Sequence, residues 1–594
     1  MHRCLNTVHT LLRINAIPQK MFAMCSTICS VQDESEANGS FVVMSHCFLH
    51  SSVFVGAGGL PSSRSSSRYA VCMSGASDPP PGNSVPVVAS PPSLKRCKAV
   101  FAGIAAAAMV VLLGQQEPAV AFTAGPPVAA SQIELGRAHT TLEFAPLAEL
   151  KLPQYTRLEL QNGLQIYLME DHQVPLVSGS IVFHAGTRVE PMSKKGLASI
   201  YASVLRLGGS ESLPGKQLDV MLEDRAASIE AGADSSSFGV SFACLREDLE
   251  VVLSLMADVL QHPALPEAEM ARAQQRALGG IARRNDDPNA ILSREMAKVV
   301  YGENSPYALT AEKATIRALT REDLIGYHAR YMAPNNALMG IVGDFDSKAL
   351  AKQLRDLYDE KQWPRNERAT APEVPNALAS ADSQKGTISL AEKREVSQAY
   401  VRMGHLGGRL DDPDYYALDV MNSILNGLGG RLFNEIRSKA GLAYSVSGSW
   451  YPAFDHEGVF YAGGETDAKN TGAFIRKMLD VLSALDKDPP TAQEVEDAKR
   501  STLNSFVFNF ESPADVLSRV IKYAFYNYPE DFAEQYPKRI AKVTPQDVAK
   551  VLNQRVEQDR FSFVVVGEKA KILPSLQKEL PSLPIRERDV RIKE

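Results

Sequence analysis

At 594 residues the chain is too long for one hydrophobic core; domains of about 100–200 residues predict two or three. Apolar residues at 45% and charged residues at 22% are ordinary for a globular protein. The net charge of −6 excludes general nucleic-acid binding, which needs a basic face.

The first hundred residues stand apart. They hold Arg3, Arg13, Lys20, Arg64, Arg68, Lys95, Arg96 and Lys98 against only Asp33, Glu34, Glu36 and Asp78. They also hold every cysteine except Cys244. A lone body cysteine makes no intrachain disulfide, so the fold does not depend on oxidation. Cys244 sits in an alternating run, Gly239 to Leu245, as a small buried hydrophobe. The stretch Ser62 to Arg68 is hydroxylated and basic, the chemistry of an organelle transit peptide. A signal-like segment follows: basic Lys95-Arg96-Cys97-Lys98, an apolar run over 99–114, then Ala119-Val120-Ala121 with Phe122 as the mature start. The apolar run is short of the roughly 20 residues that span a bilayer comfortably. Residues 1–121 thus resemble the bipartite leader of thylakoid-lumen proteins, disordered or removed. A chloroplast, lumenal location without a stable membrane span is expected. A mitochondrial location, or anchoring by residues 99–114, is the alternative. Residues 122–150 read as a Pro/Ala-rich linker.

The body then runs through strand-like Gly163–Glu170 and Val177–His184. Helical runs follow over Gly196–Leu207, Lys216–Ala227 and Glu247–Leu260. Two segments recur further on. Thr320 and Thr544 each stand as a helix N-cap candidate with Asp three residues later. The buried-strand runs Ala337–Gly343 and Phe561–Gly567 each end in Gly followed by an acid. Both repeats stand 224 residues apart. Pro263 with Glu269–Ala273 is echoed by Pro489 with Glu494–Ala498. Two homologous α+β domains follow, 151–363 and 386–590, joined by a Pro/Ala/Ser-rich linker over 364–385. Each is expected to be a mostly antiparallel sheet with helices on one face.

Several stretches resemble the insulinase/pitrilysin family of zinc peptidases over roughly residues 155–590. They are Gly186-Thr187-Arg188-Val189-Glu190 with Gly196-Leu197-Ala198, Leu260–Pro263, Asp287-Pro288, Tyr331–Asn336, and Leu432–Arg437 running into Gly441–Tyr444. In active members Gly-Leu-Ala is followed by His-x-x-Glu-His, whose histidines bind zinc while the glutamate activates water, and a distal glutamate completes the site. The matching positions here are Ser199, Ala202, Ser203 and Gly280. None of the four required groups is present, and neutral hydroxyls are poor zinc ligands. His184, His262, His328, His405 and His456 are scattered singly. Ser199 and Ser203 have no partnered base in the sequence that would make either a nucleophile. No metal is expected on this chain, and zinc only in a partner subunit.

The resemblance gives Arg437 and Tyr444 a different role. In active relatives a matching Arg and Tyr of the C-terminal domain contact the substrate backbone and the scissile carbonyl, two fixed donors at a developing oxyanion. Gly441 is the C′ residue that stops the helix before Tyr444. Asn426–Gly430 resembles the Gly-rich segment ahead of that helix and is not a phosphate loop. The expectation is an inactive subunit in a heterodimer with a zinc-bearing paralogue, acting on peptides. The alternatives are a structural core-type protein and a metallopeptidase with a non-standard site.

Overall fold

The computed structural model describes residues 152–367, 373, 385–427 and 429–593. The leader, the 122–150 segment and most of the 364–385 linker lie outside the described residues. Among the described residues, no helix is long and apolar enough to cross a membrane.

The first half runs β1 (Thr156–Glu159), β2 (Gln165–Glu170), β3 (Leu176–His184), α1 (Leu197–Gly208), α2 (Gly215–Glu223), β4 (Ser228–Ala233) and β5 (Ser237–Leu245). It continues α3 (Leu249–Gln261), α4 (Glu267–Arg283), α5 (Pro288–Tyr301), α6 (Lys313–Arg317), α7 (Arg321–Tyr331), β6 (Ala337–Gly343) and α8 (Ser347–Tyr358). The second runs β7 (Ile388–Glu392), β8 (Gln398–Leu406), α9 (Tyr415–Leu425), a π-helix (Phe433–Lys439), β9 (Ala443–Tyr451), β10 (Val459–Asp467), α10 (Thr471–Lys487) and α11 (Ala492–Phe506). It ends α12 (Pro513–Phe525), α13 (Phe532–Ala541), α14 (Pro545–Arg555), β11 (Ser562–Gly567), α15 (Lys569–Glu579) and β12 (Ile585–Arg588).

Each half is built on a six-stranded mixed sheet, β1-β2-β6-β3-β5-β4 and β12-β7-β11-β8-β10-β9. Antiparallel pairings dominate both, with β2–β6, β7–β11 and β7–β12 parallel. The repeat read from sequence is physical. Thr320 and Thr544 both close capping boxes with Asp323 and Asp547, satisfying orphan amides at the starts of α7 and α14. Only the edge strands differ: β1 comes from the N-terminal side of its half, β12 from the C-terminal end. Two details depart from expectation. The 216–227 helix stops at Glu223, and the alternating run around Cys244 is the second strand of a hairpin, β4–β5.

The larger departure concerns the sheet faces. Helices were expected on one face only; each sheet is covered on both. Along β6 the alternate residues Met339 and Ile341 enter the core under the half's own helices, while Leu338 and Val342 point the other way. There they meet Val516, Leu517, Ile521 and Phe525 of α12, which belongs to the second half. Gly340 lies on that same side. A Cβ there would stand 1.9 Å from Ile521 Cδ1, so the missing side chain lets α12 settle on the strand. The trade is reciprocal. On β11, Phe563 and Val565 face their own helices, while Val564 and Val566 meet Ile291, Leu292, Met296 and Val300 of α5. Two-sided burial is why β6 and β11 read as unbroken apolar runs.

Glu295 anchors the exchanged α5. Its side chain is 2% exposed, accepts from Arg588 of β12 at 2.9 and 3.1 Å, and accepts from Lys298 at 2.9 Å. Burial alone would raise its pKa, but the bonds and charges of Lys298 and Arg588 outweigh burial and hold it below the usual carboxylate range. Breaking a buried pair by removing one partner strands the other charge. Glu295→Ala is expected to lower unfolding stability by about 3–5 kcal/mol, seen as a lower urea midpoint at neutral pH. The contribution should be present above the ordinary glutamate pKa and fade as pH falls below it.

Candidate functional site

The Gly-Thr-Arg-Val-Glu run builds the entrance to α1. Glu190, fully buried, accepts from the amides of Ala198 at 2.6 Å and Gly196 at 3.1 Å, placing a carboxylate on the first turn. Burial pushes its pKa upward against these bonds and against Lys195 at 3.9 Å. Gly196, at φ +102°, turns the chain into the helix.

Ser199, Ala202 and Ser203 follow on α1, Ser199 exposed, Ala202 buried and Ser203 half-buried. Gly280 lies exposed on α4, and a Cβ there would meet nothing within 4 Å. One turn back on α4, Arg276 Nη2 donates to Ser203 Oγ at 2.7 Å. A hydroxymethyl, a methyl and a bare glycine offer zinc nothing, and the guanidinium bonded to Ser203 repels a cation. These residues do not fit a metal. Among the described residues, no group of three His, Cys, Asp or Glu stands together as a metal cage. The histidines do structural work: His328 pairs with Tyr201 at 2.7 Å, and His405 receives the Glu557 amide at 3.2 Å.

Arg437 and Tyr444 are brought together. Gly441, at φ +61°, ends the π-helix, with its amide donating to Arg437 O at 3.1 Å and that of Leu442 to Ile436 O at 3.0 Å. The reversal folds Tyr444 back, so that the Arg437 guanidinium lies 4.6 Å from its ring centroid and 4.7 Å from that of Phe433. Neither side chain makes a hydrogen bond or ion pair within the described residues, and Tyr444 is 66% exposed. Two donors therefore stand side by side without an acceptor among the described residues. The preceding loop is pinned by Asn426, whose amide group bonds Gly448 N, Gly448 O and Ser449 Oγ on β9.

The contact between halves was not read from sequence. Arg188, with 3% of its side chain exposed, donates to Asp455 of the second half at 2.6 Å and to Ser236 at 3.2 Å. Asp455 also bonds His456 at 2.8 Å, and His456 stacks on Tyr307 at 4.1 Å. His184 stacks on Phe525 of α12 at 3.9 Å. The partners Arg188 and Asp455 lie 267 residues apart, so no local pattern reveals them.

Two family models match this chain in succession: Insulinase (Peptidase family M16) over residues 165–311, and Peptidase M16 inactive domain over 318–502. Together they span more than half of it. The chain belongs to the insulinase family. Among curated relatives, the uncharacterized zinc protease YmxG of Bacillus subtilis is 23% identical over 365 residues, covering 61% of this chain and 86% of that protein. The zinc protease PqqE of Helicobacter pylori is 25% identical over 403 residues, covering 65% and 87%. A solved M16 inactive domain from Pseudomonas fluorescens superposes with a TM-score of 0.62 at 25% identity, covering 70% of this chain and 98% of that one. A protease from Helicobacter pylori matches in fold, TM-score 0.62 at 21% identity, covering 70% and 100%. This insulinase-family chain thus keeps the scaffold, with Ser199, Ala202 and Ser203 on α1 and Gly280 on α4 of its first half.

Burial, reinforced by Arg188 and opposed by Asp455, drops the His184 pKa to about 4. The unfolded chain therefore binds the proton first as pH falls. The junction should be whole above the ordinary histidine pKa of about 6.5 and weaken progressively toward pH 4. In melting curves from pH 7 to 4, His184→Phe, which keeps an aromatic stack on Phe525, should remove a loss of about 3 kcal/mol at most.

Proposed function

We propose that this chain is a catalytically silent subunit of an insulinase-family metalloendopeptidase, lending Arg437 and Tyr444 to a zinc-bearing paralogue in a heterodimer. The observation that carries the reading is the division of labour within the chain. The first half carries Ser199, Ala202, Ser203 and Gly280 where the family resemblance would put zinc ligands, yet the second half presents an arginine and a tyrosine side by side, without an acceptor among the described residues and with Tyr444 exposed. A peptide bound across the partner's zinc would receive hydrogen bonds from both. Tyr444, held by the guanidinium beneath it, would donate to the oxyanion, and Arg437 to the peptide backbone. The leader supports placing this work in the thylakoid lumen on peptides or presequences delivered there.

The test pairs the purified chain lacking residues 1–121 with a His-x-x-Glu-His paralogue from the same source. Peptide cleavage is expected only in the mixture. Arg437→Ala and Tyr444→Phe should each lower kcat/KM by about 10²–10³ without weakening assembly. A mixture no more active than its parts, or stoichiometric zinc with chelator-sensitive cleavage by this chain alone, would overturn the reading.

A further inference from the structure

A cavity of about 730 Å³ opens in the second half, with neither Arg437 nor Tyr444 in its wall. It lies between α9, the far end of β9, and α11, α12 and α13. Helix α9 is the counterpart of α1: the buried Leu197, Ala198, Ile200, Tyr201, Val204 and Leu205 recur 220 residues on as Ala417, Leu418, Val420, Met421, Ile424 and Leu425. By that register Ser199, Ala202 and Ser203 correspond to Asp419, Asn422 and Ser423, all of which line the cavity. The cross-helix bond from Arg276 to Ser203 is likewise matched by one between Thr502 of α11 and Ser423, at 2.7 Å. The second half thus holds a polar hollow at the place equivalent to the degenerate metal position.

Most polar groups of the hollow are already engaged. Asn422 bonds both the amide and the carbonyl of Trp450, at 2.8 and 2.9 Å. Asp419 accepts from the Tyr536 hydroxyl, and Arg519 donates to Asn509. Lys522 is different. Its ammonium makes no hydrogen bond or ion pair within the described residues, and rests 4.6 Å from the Phe454 ring centroid. Burial, and then the charge of Arg519, hold its pKa below the ordinary lysine value. Asp234, whose field reaches it from the first half, already accepts from Ser236 N, Ser237 N and Ser237 Oγ at 2.5–2.9 Å. An anion is what this ammonium lacks. The wall also holds the aromatic rings of Tyr415, Phe506 and Phe532 among serines, and the volume lies within the roughly 300–1,000 Å³ of small-ligand sites.

We propose that this cavity binds a carboxylate carried on an aromatic or branched apolar body, the carboxylate on Lys522 and the body against Tyr415, Phe506 and Phe532. A peptide's C-terminal residue and a free N-acylated amino acid share that chemistry. The inference stands on the cavity alone and is independent of the heterodimer reading.

The full chain would be titrated with N-acetyl-L-phenylalanine and with a pentapeptide ending in phenylalanine, each as free acid and as carboxamide. Trp450, buried behind Tyr415 with ring centroids 5.9 Å apart, is the fluorescence reporter. The only other tryptophan, Trp363, is replaced by Phe as the background. At least one free acid should give saturable quenching at sub-millimolar concentration, with its carboxamide at least tenfold weaker. Lys522→Met should weaken the acid by the same factor, and Lys522→Arg should restore it. Binding by the acetylated amino acid alone would identify the free compound as the ligand type, and binding by the pentapeptide would identify peptide termini. No saturable binding by either acid, or equal binding of acid and amide by the wild-type background, would overturn the proposal without reliance on any Lys522 variant. Unchanged affinity in a folded Lys522→Met protein would do so as well.

Discussion

The molecule depends on an exchange of helices. Each half leaves one face of its sheet bare of its own helices, and the other half supplies the cover, α12 over β2 and β6, α5 over β8 and β11. Each buried Leu, Val, Ile or Met on those faces is worth about 1.5–3 kcal/mol over leaving it in water. Separating the halves would expose both sheets at once. Neither half is a complete folding unit, and the geometry of the junction is set by apolar packing before any charge acts.

Charges then fix the register of the exchange. Glu295 ties α5 to the last strand through Arg588, and Arg188 meets Asp455 where the halves touch. Such buried pairs add little over an apolar replacement, yet a mismatched approach would strand a charge out of water. They therefore favour this one arrangement of the two halves over others of similar hydrophobic content.

The two halves have diverged in chemistry while keeping their frame. Around α1, Ser199, Ala202 and Ser203 are small, and Arg276 bonds Ser203 from α4. Around α9 the equivalent positions are polar and surround a hollow. The second half also holds Arg437 and Tyr444 side by side through a glycine reversal. One scaffold repeated within a chain can carry different side chains at equivalent helix positions, because the buried faces of α1 and α9 that hold each helix on its sheet stay apolar in both copies.

Much was legible in the residues alone. Capping boxes at Thr320 and Thr544, the buried runs of β6 and β11, and the 224-residue repeat are local patterns, and local hydrogen bonding and side-chain period enforce them wherever the segment sits. That Ser199, Ala202, Ser203 and Gly280 include no imidazole, thiolate or carboxylate was equally plain, since side-chain chemistry is the same in any fold. Arg437 and Tyr444 were singled out by the family resemblance, and Gly441 marked the helix stop between them. What the sequence left open was everything decided by contacts hundreds of residues apart. It marked β6 as a buried strand without showing that a helix from the other half covers its second face. It did not show that Arg276 would lie against Ser203, that Arg188 would find Asp455, or that Lys522 would face a hollow without an anion. Period and propensity act along the chain, whereas these depend on which surfaces meet across it, and only the closed tertiary structure sets that.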